Sequence, residues 1–242
     1  MEWRDEGIVL GMRLFGESGA IVTLLTREHG RHAGLARGGA GRRGRSLYQT
    51  GNRVAAQWRA RLGDQLGSLS AELIEAHGAR LIDDARRLAA LASAAALAEA
   101  ALPEREPHRA VYDRLLALLQ ALQSDEAGAR WPEDYARWEL ALLADLGFGL
   151  DLSRCAATGA TEGLTHVSPR TGRAVSASAA APYRERLLPL PAFLAGAGPA
   201  APGEVVRALA LTGHFLEQHI FHPPHGVPAA RGRLIDLLGR GR

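Results

Sequence analysis

Lysine is missing from this sequence: all 29 of its Lys and Arg positions are arginine. That absence removes the Gly-Lys-Ser/Thr loop with which many proteins grip nucleotide phosphates. Cysteine is nearly missing too. A single thiol, Cys155, excludes an internal disulfide and cannot alone build a thiolate zinc site, so a reducing, intracellular compartment is the expectation. No apolar run reaches the ~18 residues of a membrane span. The opening Met1-Glu2-Trp3-Arg4-Asp5-Glu6 is charged, unlike a secretory leader, and a cytoplasmic protein without a membrane anchor follows as the expectation.

Carboxylates are scarce in one place above all. Residues 27–61 hold nine arginines (Arg27, Arg31, Arg37, Arg42, Arg43, Arg45, Arg53, Arg59 and Arg61) against one acid, Glu28. The whole chain carries a formal charge of only +3, so the remainder is net acidic. The same stretch contains Gly38, Gly39, Gly41 and Gly44. Dense positive charge, no opposing carboxylates and a freely jointed backbone are what a loop lying against a polyanion needs. The apolar content, 47% over 242 residues, suffices for two small domains or one larger one.

The hydrophobic pattern divides near residue 78. Before it come short β-branched and leucine-rich runs at 7–14, 20–26, 31–37, 52–62 and 66–74, separated by turn residues such as Gly16-Glu17-Ser18-Gly19 and Gly63-Asp64. Five strands in about 75 residues, with no helical period among the first four, fit a small antiparallel β-barrel of the OB type. An SH3-like barrel is the nearest rival. In the fourth run, alternation puts Arg53, Ala55, Gln57, Arg59 and Arg61 on one face. Val54, Ala56, Trp58, Ala60 and Leu62 take the other, which places Trp58 in the core and not on a base-stacking surface.

After residue 78 the period becomes helical. Helices are expected over 81–102, with Asp83 and Asp84 in the first turn, from Pro107, from Pro132 to Gly147, and over 203–219, with a terminal turn at 234–238. Residues 148–181 break the pattern with glycine and proline and read as an irregular insert; 182–202 read as a surface connection. The expected organisation is a barrel at 1–78 and a helical domain at 79–242 that carries the insert at 148–181.

Several short motifs in succession resemble one family. Asp5-Glu6-Gly7-Ile8-Val9-Leu10, Gly16-Glu17-Ser18, Leu25-Thr26-Arg27-Glu28-His29-Gly30, Ala36-Arg37-Gly38 and Gln49-Thr50-Gly51-Asn52 resemble the amino-terminal barrel of the RecO recombination mediators of bacteria. The stretch from Leu140-Ala141-Leu142 through Asp145-Leu146-Gly147-Phe148-Gly149 to Arg154-Cys155 resembles the junction before that family's zinc-ribbon insert. The resemblance covers nearly the whole chain, in order. It implies a non-catalytic protein that needs no cofactor, binds single- and double-stranded DNA and anneals complementary strands. It further implies that, with RecR, such a protein helps RecA load onto DNA covered by single-stranded DNA-binding protein, whose acidic tail it would bind. Action at the nucleoid is implied as well. Zinc-binding members carry two Cys-x-x-Cys pairs, whereas here Cys155 is followed by Thr158, with Ser176 and Ala179 at the second pair's place. The insert is therefore a degenerate zinc ribbon, expected to hold together by packing and turn hydrogen bonds without metal.

The candidate DNA-contacting residues are Arg31, Arg37, Arg42, Arg43, Arg45, Arg53, Arg59 and Arg61, because guanidinium pairs bidentately with phosphate oxygens. Two readings of another class stand beside this one. His214, His219, His222 and His225 form a metal-like cluster that a metal-dependent hydrolase would use, although Pro223 and Pro224 divide it and no general base stands out. Alternatively, the basic loop binds an acidic protein, the chain acting as an adaptor. Catalytic residues and metal ligands are not expected.

Overall fold

A computed structural model describes residues 1–62, 65–124, 130–224 and 226–240. The Gly63-Asp64 turn and His225 lie outside these. By internal contacts the chain forms two compact units, one of residues 1–129 with 228–234 and the other of residues 130–227 with 235–242.

The first unit is built on five strands: β1 (Glu2–Phe15), β2 (Gly19–Thr26), β3 (Gly30–Ala36), β4 (Arg53–Arg59) and β5 (Ser68–Glu75). β1 pairs antiparallel with both β2 and β4, and β4 with β5. The sheet closes in the order β1-β2-β3-β5-β4, and the closing contact is parallel, Leu35 against Ser68. An all-antiparallel set was expected; the parallel seam arises because β4 returns along β1, which leaves β5 beside β3.

Alternation on β4 holds as the pattern predicts. Val54, Ala56 and Trp58 are buried while Ala55 and Arg59 are exposed. Trp58 joins Val9, Val22, Leu24, Tyr48 and Leu69 in the core, and its indole N–H donates to Ala33 O (3.2 Å) and Leu66 O (3.0 Å). Gly67, at φ +67, is required there: a Cβ would stand 2.4 Å from the Trp58 ring. The strand ends at Arg59, three residues before the run suggested. Leu62 is consequently 57% exposed and is not a core residue.

A helix sits where a loop was expected. Residues Arg42–Leu47 form α1, one and a half turns between β3 and β4. Five consecutive polar and glycine positions, Arg42 to Ser46, hid it, since it buries none of its own side chains. After a 3-10 turn at Gly78–Leu81, α2 (Ala85–Ala101) and α3 (Arg109–Leu122) complete the first unit, with seven residues from its carboxyl end. Asp84 caps α2 by accepting from the Arg86 and Arg87 N–H groups, both at 3.0 Å, so it stands just before the helix rather than in its first turn.

The second unit holds α4 (Trp131–Asp145), which ends at Gly147 (φ +88) as the sequence indicates. α6 (Glu204–His219) packs against it, and buried Glu139 of α4 accepts a hydrogen bond from Thr212 of α6. Between them lie β6 (Leu164–Val167), β7 (Ala174–Ser176), the single turn α5 (Ala177–Ala180) and β8 (Leu188–Pro189), with the strands ordered β7-β6-β8. The stretch 182–202 thus supplies a sheet strand as well as connection. α7 (Ala229–Gly239) is longer than the expected terminal turn. No helix among the described residues is long and apolar enough to cross a membrane.

Candidate nucleic-acid interface

The eight arginines separate into two chemical groups. Arg53 and Arg59 lie on β4 opposite the amino-terminal half of β1, where the register sets Glu2 across from Arg59 and Ile8 across from Arg53. Arg59 donates to both carboxylate oxygens of Glu2, from Nε at 3.1 Å and Nη2 at 2.9 Å. Arg53 Nε donates to Glu6 at 3.1 Å. The Arg59 hydrogen bond holds the Glu2 carboxyl below its usual range, and Glu2 in turn raises Arg59; Glu6 does the same for Arg53. Arg31 is also engaged, through Nε to Leu102 O (2.7 Å) and Nη1 to Glu104 (3.3 Å). These three guanidiniums already have anions beside them.

The others do not. Arg37, Arg42, Arg43 and Arg61 are exposed, and among the described residues none of them makes an ion pair or hydrogen bond. Arg45 is exposed and uses its Nε on Ala40 O (2.8 Å), which leaves its charge uncompensated. Three of the five come from α1 and Arg37 from the end of β3. Arg61 follows β4.

The glycines of this segment hold it in place more than they loosen it. Gly39 N–H donates to Ala36 O, Gly41 N–H to Gly38 O, and Ala40 N–H to Ser18 O at the β1–β2 turn. At Gly44 a Cβ would lie 2.5 Å from Gly39 Cα and 2.6 Å from two carbonyl oxygens, so α1 folds back directly onto the glycine run. Buried Asn52 donates from Nδ2 to Ser46 O (2.9 Å) and Leu47 O (3.0 Å), covering carbonyls that the end of a helix leaves bare. A positioned set of guanidiniums loses less entropy on meeting phosphate than a loose loop would. The sequence reading missed this ordering, and it missed Arg13. That residue is exposed on β1, outside the arginine-dense stretch, and has no partner among the described residues.

Beside Arg37 and Arg59 runs a shallow groove of about 370 Å³, floored by Leu35, Gln57, Ser68, Leu69 and Ser70. Its hydroxyls and amide are hydrogen-bonding groups of no fixed charge.

Comparison with known proteins assigns the chain. Residues 1–77 match the family description Recombination protein O N terminal, and residues 82–227 match Recombination protein O C terminal. The chain belongs to the RecO family. The DNA repair protein RecO of Rhodospirillum centenum is 57% identical over 98% of this chain and 94% of its own length. That of Rhodospirillum rubrum is 51% identical, over 99% and 97%, and one from Cereibacter sphaeroides is 47% identical over the whole of both. A role in DNA repair and recombination comes with membership.

The family's zinc ribbon raises the question of a metal in the second unit, and the residues present do not fit one. Of Cys155, Thr158, Ser176 and Ala179, only the first offers a thiolate. Its Sγ instead accepts the Ser176 N–H at 3.2 Å, and it packs with Val175, Ala180 and Leu164 in a small apolar cluster. Nor do the histidines assemble. His219 stacks on Phe148 at 4.7 Å and His214 lies edge-on to Phe215, while His222 belongs to no metal-binding group. Among the described residues no set of three or more His, Cys, Asp or Glu side chains could hold a metal ion.

Proposed function

We propose that this chain is a non-enzymatic recombination mediator whose OB-type barrel, residues 1–78, binds single- and double-stranded DNA through phosphate contacts. Arg37, Arg42, Arg43, Arg45 and Arg61 make the primary contacts. Arg31, Arg53 and Arg59, each held by a carboxylate, are withheld from these first contacts and add to them only where a phosphate displaces that carboxylate. The observation that carries the reading is the set of exposed guanidiniums around α1 with no anion of their own. Each neutralised phosphate releases condensed counterions, so binding weakens steeply with salt and takes little account of sequence. Annealing follows from the same charge: two strands that repel in solution meet on a surface that screens both.

The helical part, residues 79–242, with its degenerate zinc-ribbon-like insert at 148–181, would receive the acidic, apolar tail of single-stranded DNA-binding protein, with RecR as a further partner of the chain. In that way it would bring RecA onto covered DNA. Such a protein acts in the cytoplasm, at the nucleoid, and needs no cofactor. The test is strand annealing at graded salt, with neither nucleotide nor metal present. Annealing that fades as salt rises supports the proposal. Absence of annealing together with tight binding to an acidic peptide would replace it by an adaptor reading.

A further inference from the structure

Two large apolar side chains stand exposed at the tip of the β1–β2 hairpin, Leu14 at 55% and Phe15 at 51%. Apolar residues at a turn cost hydration unless something covers them. What surrounds them decides what that something is. Ser18 O, in the turn, accepts the Ala40 N–H at 3.1 Å, and Ala40 O in turn holds Arg45, so the hairpin tip is fastened to the segment that presents the unpaired guanidiniums. Phe15 pairs with Gly19, and Ala20 pairs with Ala36, the residue before Arg37. Phe15 and Arg37 are thus two interstrand steps apart, about 10 Å. Arg13 lies two residues before Phe15 on the same face of β1, while Met12, of the opposite parity, packs on the core. By register Phe15 has one exposed cation near it along its own strand, Arg13, and one across the sheet, Arg37.

We propose that Phe15 is a stacking platform for an unpaired base of single-stranded DNA whose backbone crosses Arg37 and α1. The assignment rests on the phosphate-binding reading above and adds to it a contact that charge cannot supply. An aromatic face accepts any base, because every base has a π-surface, so the contact is indifferent to sequence. It is also indifferent to salt, since no counterion is released. A duplex cannot use it, as its bases are already stacked. Glu17, the carboxylate of the turn, discourages phosphate from the tip itself, which leaves the backbone on the arginines and directs a base toward the ring. Phe15 therefore favours single strands over duplex on a surface whose arginines do not distinguish them.

The experiment compares the wild-type chain with Phe15→Ala and Phe15→Trp, titrated with oligo-dT and with a duplex of equal length at several salt concentrations. Phe15→Ala is expected to bind oligo-dT about tenfold more weakly, the loss expected of one base stack, with the same salt slope and with duplex binding within twofold. Phe15→Trp is expected to keep tight oligo-dT binding. Its new indole should be quenched on addition of oligo-dT beyond any change in the wild-type chain, in which Trp58, Trp131 and Trp138 are buried and Trp3 is half-buried. Oligo-dT binding by Phe15→Ala within twofold of wild type, with no quenching of Phe15→Trp, overturns the stacking role and leaves the phosphate reading intact. A wild-type chain that shows no salt-dependent DNA binding overturns both.

Discussion

Replacing Arg42, Arg43 and Arg45 together by alanine tests the division of the arginines most directly. Of the eight candidate arginines, five exposed ones, Arg37, Arg42, Arg43, Arg45 and Arg61, lack an anionic partner among the described residues, and three are already engaged. At roughly 0.7 counterions released per single-strand phosphate contact, five free contacts give a slope of log affinity on log salt near −3.5, and eight would give about −5.6. The triple variant retains two free contacts and should fall to about −1.4. Between 50 and 200 mM salt the wild type should then lose roughly 100-fold in affinity and the variant only about 7-fold. The assay is fluorescence anisotropy with labelled oligo-dT over that range. None of the three side chains is buried, so the fold should survive, and thermal unfolding provides the control. A wild-type slope near −5.6 would show that Glu2, Glu6 and Glu104 do not withhold their arginines. A triple variant with an unchanged slope would move the DNA to another surface altogether.

Three further outcomes follow from named contacts. Converting Glu2 and Glu6 to glutamine should release Arg59 and Arg53 for phosphate and steepen the slope by about 0.7 for each freed contact; tighter binding with an unaltered slope would count against this mechanism. Gly44→Ala gains helix propensity in α1, yet its Cβ would press on the backbone of Gly38 and Gly39 at 2.5–2.6 Å. Urea unfolding should therefore show a loss of about 1–3 kcal/mol, and a gain would mean that the glycine run yields without cost. His32 is buried at 6% exposure against Trp3 and Trp58, and burial pushes its pKa down to about 4 from 6.5. The unfolded chain takes up that proton first, so the stability His32 contributes is complete above pH 6.5 and declines as pH falls toward 4. The expected loss is on the order of 1–2 kcal/mol at pH 5, and a His32→Gln variant that declines as steeply as wild type would refute it.

The strands of the first unit were legible because most of them bury one side of a period-2 pattern, and Trp58 shows how far that carries. Its neighbours in sequence are arginine and glutamine, yet parity alone assigned it to the core. α1 was not legible by the same means. A six-residue helix with no buried side chain has no periodicity to display, and its supports are backbone contacts from Gly38, Gly39 and Ala40 together with the distant Asn52. Reading the glycines as freedom was the natural inference from composition, and close packing gives them the opposite task.

The charge map was incomplete for a related reason, which also bears on the proposed binding. Counting signs along residues 27–61 treats each arginine as available, but a sheet pairs residues far apart in sequence. The opening Glu2 and Glu6 look, in one dimension, like an acidic tag unrelated to Arg59 and Arg53, 57 and 47 positions away. The antiparallel register brings each within hydrogen-bonding distance of its partner. Pairs of this kind on an exposed sheet face contribute little to stability, because water and salt screen them. The carboxylates keep β4 near neutrality in the free protein, and in the proposed binding mode a phosphate reaches Arg53 or Arg59 only by displacing one. In that mode, arginines with no such carboxylate set the first contact, and arginines that must exchange one set how far along the sheet the strand is held.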